Sequence, residues 1–290
     1  MAEIKAELVK QLREITGAGM MDCKRALIDT NGDIDTAVEN LRKAGIAKAA
    51  KKLDRESKEG RVEGLINSDR SKAVIVELSS ETDFVARNEE FIALTKRLAE
   101  IAFTKSIGSV EKLSDEKIDG QTISEKITAM IAKIGENIKP KRVSYFEAPG
   151  DSFIYQYIHP GNKIAVMVEL AATANLREDE RIINLAKELA LQITFSKPVA
   201  ICRSEVPRDV ADKEKKLYEE QAREEGKPEQ AIEKIVEGRT RKFFEESCLL
   251  EQEYIRNVEI KVDDLVAQIS KEVGSKIVVK RYTRFEVGTI

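Results

Sequence analysis

The chain has 290 residues, enough for two ordinary domains or for one core with appendages. Charged residues make up 35% of it, yet Lys plus Arg (49) and Asp plus Glu (52) nearly cancel to a formal −3. Neither a basic nucleic-acid footprint nor an acidic tail is expected. One histidine, His159, and three scattered cysteines, Cys23, Cys202 and Cys248, remove most metal, disulfide and Cys–His chemistry. No phosphate-binding glycine loop follows any predicted strand, so no cofactor and no catalytic residues are expected, and the enzyme reading is weak. The longest mostly apolar run, 164–172, contains Glu169 and falls far short of the roughly 20 residues of a membrane span. The start, Met1-Ala2-Glu3-Ile4, has no signal-peptide core, and a soluble cytoplasmic protein is expected.

In chain order, Ile4, Leu8, Leu12 and Ile15 recur at helical spacing up to Thr16-Gly17-Ala18-Gly19. A second helix from about Met21 to Asp29 buries Cys23, Ala26 and Leu27. After Asn31-Gly32, Asp33 caps a third helix lined by Ile34, Ala37, Val38 and Leu41. Residues 1–47 thus form a three-helix docking module, too small to be robust alone. A charged stretch, 48–60, reads as a partly helical tether.

The periodicity then changes to two. Arg61–Asn67 and Lys72–Leu78 form a hairpin around Ser68-Asp69-Arg70, followed by a helix from Asn88 (Phe91, Leu94, Leu98, Ile101) and another carrying Ile123, Ile127, Ile131 and Ile134. The same order recurs in Ser152–Ile158, the turn His159-Pro160-Gly161-Asn162, Lys163–Ala171 and a helix with Ile182, Leu185, Leu189 and Ile193. Val74-Ile75-Val76-Glu77-Leu78 answers Val166-Met167-Val168-Glu169-Leu170, and Leu94, Lys96 and Leu98 answer Leu185, Lys187 and Leu189. An internal duplication follows, giving an α+β core of subdomains 61–148 and 149–206, the second completed by 245–290. Between them, 207–244 holds two polar helices joined at Gly226-Lys227-Pro228. This antiparallel hairpin has too little apolar surface to lie over a core, so it should protrude. A last helix, Val262 to Val273, and a strand, Lys276 to Phe285, close the chain.

Two places break the duplication or the burial pattern. Between strand and helix the first copy has Ser79-Ser80-Glu81-Thr82-Asp83-Phe84-Val85-Ala86-Arg87-Asn88, whereas the second has Ala172-Thr173-Ala174-Asn175-Leu176-Arg177-Glu178-Asp179. Either Thr82 or Asp83 caps a helical turn and Phe84 packs back on its hairpin, or Phe84 is an exposed wedge for a partner. At Met20-Met21, either one methionine fills the small core, or the pair forms an adaptable apolar docking surface.

The motifs Ile15-Thr16-Gly17-Ala18-Gly19-Met20-Met21-Asp22-Cys23-Lys24-Arg25-Ala26-Leu27 and Thr82-Asp83-Phe84-Val85-Ala86-Arg87-Asn88 resemble the bacterial elongation factor Ts family, guanine-nucleotide exchange factors of the translational GTPase elongation factor Tu. Gly135-Glu136-Asn137-Ile138, Lys234-Ile235-Val236-Glu237-Gly238-Arg239 and Leu249-Leu250-Glu251-Gln252 extend the likeness over nearly the whole chain. The resemblance implies a UBA-like (ubiquitin-associated) three-helix module, duplicated core subdomains and a protruding helical hairpin. It implies that Thr82, Asp83, Phe84 and Val85 dislocate Mg²⁺ held with GDP on the partner, and that Arg13, Met20, Met21, His159 and Ile255 bind the partner. Self-association through the hairpin is an additional expectation. The His159-Pro160-Gly161-Asn162 turn departs from the commoner glycine-rich form, and contacts made by a longer C-terminus in some relatives do not carry over. The competing reading is a non-catalytic scaffold that binds partners through the UBA-like module and needs neither Asp83 nor Phe84.

Overall fold

The computed structural model describes residues 4–172 and 178–289. Met1–Glu3 and most of the second-copy loop, 173–177, lie outside them, as does Ile290. The elements are α1 (Ala6–Thr16), α2 (Met20–Asp29), α3 (Ile34–Ala50), β1 (Glu59–Ile66), β2 (Lys72–Ser80), α4 (Asp83–Ala86), α5 (Glu89–Thr104), α6 (Val110–Ser114), β3 (Lys117–Ile118), β4 (Gln121–Thr122), α7 (Ile123–Ile134) and β5 (Lys139–Glu147). There follow β6 (Ser152–Ile158), β7 (Ile164–Ala171), α8 (Glu180–Ser196), α9 (Arg208–Glu224), α10 (Glu229–Ser247), β8 (Glu253–Tyr254), β9 (Asn257–Lys261), α11 (Val262–Val273) and β10 (Val278–Glu286). The protein is a mixture of helices and small antiparallel sheets, an α+β architecture.

At the N-terminus, Val9, Leu12, Cys23, Ala26, Leu27 and Ala37 form a small core of their own. Asp33 caps α3 by accepting from the Thr36 N–H at 2.7 Å. Ile15, expected on the inner face, is 56% exposed. It borders a cleft of about 620 Å³ between this bundle and α7. The stretch 48–60, read from its charge as a tether, is tied down. Helix α3 runs on to Ala50 and packs along α7, where a Cβ on Gly45 would stand 3.1 Å from that of Ala132. The carbonyls of Leu53 and Arg55 then accept from Asn137 Nδ2 at 3.1 and 2.6 Å.

The core consists of two three-stranded antiparallel sheets, β1-β2-β5 and β6-β7-β10, with the second hairpin strand central in each. Along β2, Val74, Val76 and Leu78 face α5 and α7, while Ala73 and Ile75 face the other sheet. Along β7, Val166, Val168 and Leu170 face α8 and α11, while Ala165 and Met167 face inward. The result is a helix–sheet–sheet–helix sandwich. A central strand covered on both faces must be apolar on both, which explains the unbroken hydrophobic runs in the two hairpins. The sheets approach closely at Gly64, where any Cβ would lie 2.7 Å from Gln156 Nε2. Gln156 reaches across there to donate to the Val74 carbonyl at 2.8 Å.

Each central strand places one acid between the sheets. Glu77 is fully buried and Glu169 3% exposed. Arg142 of β5 donates to Glu77 at 2.6 Å, lies 4.6 Å over the Phe285 ring and donates to the Glu286 carbonyl at 2.8 Å. Arg281 of β10 does the same with Glu169 (2.6 Å), Phe146 (4.1 Å) and the Glu147 carbonyl (3.0 Å). The equivalent residues Ser144 and Thr283 meet each other at 3.3 Å, so a pseudo-two-fold axis passes between β5 and β10. Burial pushes the Glu77 carboxyl up, more than the Arg142 guanidinium pulls it down.

Strand β5 was not legible in the sequence, because Lys139-Pro140-Lys141-Arg142 reads as a polar break. It is an edge strand whose register shifts beside Pro140, where a missing N–H is tolerated. The short pairs β3-β4 and β8-β9 were also too brief to show a period. Helices α9 and α10 pack antiparallel on one another, with Ala222 and Ile232 buried along their length. Ala200, Val206 and Cys248, with Phe243 and Phe244, form a cluster at their root.

Candidate functional site

The turn between β2 and α5 is set by two caps. Thr82 caps α4, accepting from the Val85 N–H at 3.5 Å, and Asn88 caps α5, accepting from Glu90 N–H at 2.9 Å and Phe91 N–H at 3.4 Å. So short a helix turns Val85 and Ala86 into the core, 8% and 5% exposed, and leaves Phe84 82% exposed. Thr82 therefore does cap a helical turn, but Phe84 does not pack back on its hairpin. Asp83 makes an i,i+4 ion pair with Arg87 at 3.0 Å. A phenyl ring left this far in water forgoes roughly 2 kcal/mol of burial.

The turn is fastened from behind by the end of α7. Gly135 adopts a left-handed conformation (φ 87°) and stops that helix. Glu136 then accepts from the Thr82 hydroxyl at 2.7 Å and the Thr82 N–H at 3.0 Å, one bond to each carboxylate oxygen. The buried Asn137 donates its N–H to Glu81 at 2.7 Å and its side-chain amide to the carbonyls of Leu53 and Arg55. These contacts were missed in the sequence. The Gly135-Glu136-Asn137-Ile138 match was the only signal that could have drawn attention to them.

Met20 and Met21 open α2 and are 46% and 66% exposed, so neither fills the small core, and Arg13 on α1 is exposed as well. The bundle packs on α7 through α3, with Gly45 against Ala132 and the exposed pair Arg42–Glu125 at 2.7 Å, so α7 adjoins both the bundle and the Phe84 turn. His159 and Ile255 lie in the second half, each against the C-terminal part of α8. His159 Nδ1 meets the Tyr157 hydroxyl at 2.9 Å, and its ring stands edge-on to the exposed Phe195, with centroids 5.7 Å apart. The departing turn is firmly seated. Asn162 accepts from the Val62 N–H at 2.8 Å and donates to the Val62 carbonyl at 3.1 Å. Ile255, 37% exposed, donates its N–H to the buried Gln192 at 2.9 Å. The structure thus distributes the nine residues over three places: the α4 turn, the three-helix bundle and the margins of α8.

Cys23 is fully buried in the core of the bundle. Burial pushes the Cys248 thiol up to about 11, which leaves it a poor nucleophile near neutrality. Among the described residues no cluster of three or more His, Cys, Asp and Glu side chains could hold a metal ion. No helix among them is long and apolar enough to cross a membrane.

Fold and site together define a class: an α+β protein whose distinctive side chains are exposed apolar groups on firm mounts. The comparisons make the class specific. Residues 81–289 match the model of the family described as Elongation factor TS. Elongation factor Ts of Clostridium botulinum (strain Eklund 17B / Type B) is 46% identical over 286 residues, covering 98% of this chain and 93% of the relative. The protein of that name from Clostridium perfringens (strain SM101 / Type A) is 43% identical over the same shares. The one from Chlorobium phaeobacteroides (strain BS1) is 40% identical over 99% of this chain and all of the relative. The chain belongs to the elongation factor Ts family, whose members are translation elongation factors acting in guanine-nucleotide exchange during protein biosynthesis.

Proposed function

We propose that this chain binds GDP-bound elongation factor Tu and promotes GDP release by disturbing the Mg²⁺ and phosphate site of that GTPase, so that GTP can reload. Phe84 carries the reading. A large aromatic ring, 82% exposed, on a turn fastened at Thr82 is a side chain prepared to be buried in something else. Asp83 and Phe84 act as the wedge, with Thr82 and Val85 fixing its base. Arg13, Met20 and Met21 of the UBA-like bundle grip the GTPase domain, and His159 and Ile255 contact another part of the partner. The α9–α10 pair protrudes as a helical hairpin and serves self-association or a further contact.

Such a protein needs no chemical step of its own. It has to bind the nucleotide-free GTPase better than the GDP-bound form, and linkage then requires GDP to weaken its binding by the same factor. Mg²⁺ neutralises phosphate charge, so displacing its ligands loosens the nucleotide.

The test is release of fluorescent GDP from elongation factor Tu by catalytic amounts of the protein. Phe84→Ala should slow the accelerated release at least tenfold, about the cost of losing one interface anchor. Its melting temperature should stay within a few degrees of wild type, because the ring is already exposed. Undiminished release would remove the wedge from the mechanism and favour a scaffold acting through the bundle alone.

A further inference from the structure

Among the motifs that carry the family likeness, Gly135-Glu136-Asn137-Ile138 has no part in the function as described above. We infer that Glu136 is the positioning residue of the Phe84 wedge, with Asn137 as its anchor; this rests on the proposal that Phe84 is the wedge. A four-residue helix has no stability of its own. Without an external hold, α4 would fray, and an exposed ring would lose more rotational freedom on entering a partner. The side chain of Glu136 supplies that hold. Its two oxygens take the hydroxyl and the N–H of Thr82, at 2.7 and 3.0 Å, two residues before Phe84. Bonds to an ionised acceptor are the stronger kind, and two on one residue fix direction as well as distance.

The mount behind Glu136 is equally constrained. Gly135 turns the chain at the end of α7 with φ at 87°, which aims Glu136 back at the turn. The next residue, Asn137, is fully buried and ties Glu81 on one side and the 53–55 backbone on the other. Helix α7 also carries Glu125, which pairs with Arg42 of the three-helix bundle. Helix α7 thus adjoins both the mount of Phe84 and, through α3, the bundle that carries Met20 and Met21. The consequence is a division of roles. Loss of Glu136 leaves every apolar contact residue in place and removes only the aim of the wedge, so it should lower the maximal exchange rate more than it lowers affinity.

The experiment measures GDP release from elongation factor Tu against concentration of the full-length protein, for wild type, Phe84→Ala, Glu136→Ala, Glu136→Gln and the Phe84→Ala/Glu136→Ala double variant. Glu136→Ala should lower the maximal rate about tenfold, a scale typical of a misplaced group. The half-saturating concentration should change less than about threefold, since the bundle contacts are untouched. Glu136→Gln should keep at least about half the maximal rate, because its amide oxygen can accept from the Thr82 N–H while its NH₂ donates to the hydroxyl. In the Phe84→Ala background, Glu136→Ala should add less than about twofold, as expected for residues acting as a unit. A wild-type maximal rate for Glu136→Ala beside a slow Phe84→Ala would overturn the positioning role and leave the wedge standing. Equal slowing with and without Phe84 would overturn it too, by showing an effect exerted elsewhere. Wild-type release by Phe84→Ala would bring down both the wedge and its positioning. Should Glu136→Ala not fold, Thr82→Val removes the same hydroxyl bond from the other side, together with the cap on the Val85 N–H. It should slow maximal release several-fold, and a wild-type rate for it would count against the inference.

Discussion

Phe84 and Glu77 are opposite exceptions to the rule that apolar side chains go in and charges stay out. Phe84 is apolar and exposed, whereas Glu77 is an acid at zero exposure. The first is left in water by a turn that buries its neighbours; the second is tolerated because Arg142 reaches it. A second acid shows charge acting on a helix end. Asp179 caps α8 by accepting from the Arg181 N–H at 2.9 Å, and the Arg181 side chain forks onto it through Nε at 3.0 Å and Nη2 at 2.6 Å. The Arg181 side chain, with that backbone bond, lowers its carboxyl to about 2. A carboxyl lowered in the folded state stabilises above its unfolded value of about 3.9, and that contribution fades as pH falls toward 2. Asp179→Asn should therefore flatten the acid limb of melting temperature against pH between about 4 and 2. An unchanged limb would show that the ion pair does not persist in solution.

Helices here do one of two jobs, and the amount of apolar surface each carries separates them. Helices α5 and α8 spend their apolar faces on the sheets, as Phe91, Leu94 and Leu98 and then Ile182, Leu185 and Leu189 show. Their ends and faces were legible because spacing at 3.6 and capping residues such as Asn88 are local signals. Helices α9 and α10 have little to give a core. Beyond the root cluster they bury only a few side chains, such as Ala222 and Ile232, and carry exposed ion pairs such as Arg239–Glu225 at 2.9 Å. Excising 212–234 and closing the gap with a short glycine turn should leave the root cluster at Ala200, Val206 and Cys248 intact. The shortened protein should remain folded and accelerate GDP release to within about threefold of wild type, the change expected of a distant, independent element. Insoluble protein or lost exchange would assign the helix pair a structural or direct role.

At the scale of the molecule, two copies of one sheet-and-helix unit face each other across a pseudo-two-fold axis. The axis is marked by Ser144 against Thr283 and by Arg142 and Arg281, each crossing to the other copy's phenylalanine. Removing one partner of a buried pair is far worse than exposing a surface charge, because the other is left unpaired in a dry site. Arg142→Ala should cost about 3 kcal/mol or more by urea unfolding with an unchanged slope. Arg281→Ala should cost less, since the Arg281 side chain is 45% exposed against 22% for Arg142. The Glu77 carboxyl is already raised by burial, and without Arg142 it rises further. An acid raised in the folded state loses stability as pH climbs past its unfolded value, so the Arg142→Ala deficit should grow from pH 4 to pH 7. A deficit independent of pH would mean that packing on Phe285, not the charge, carries the effect.

The longer helices, the two hairpins, the duplication and the oddness of Thr82–Asn88 were legible from residue order alone, because periodicity, caps and repetition are written into neighbouring residues. It also marked Met20, Met21 and Phe84, but left open whether each faced a core or a partner. That choice depends on which surfaces the rest of the chain covers. It took the packed chain to show that Phe84 stands clear, that 48–60 is fastened and that the polar strand β5 completes the first sheet. The holds on the Phe84 turn come from Glu136 and Asn137, more than fifty positions along the chain. No local pattern records a hydrogen bond over that distance, and it exists only once β5, which follows Asn137, has paired with β2.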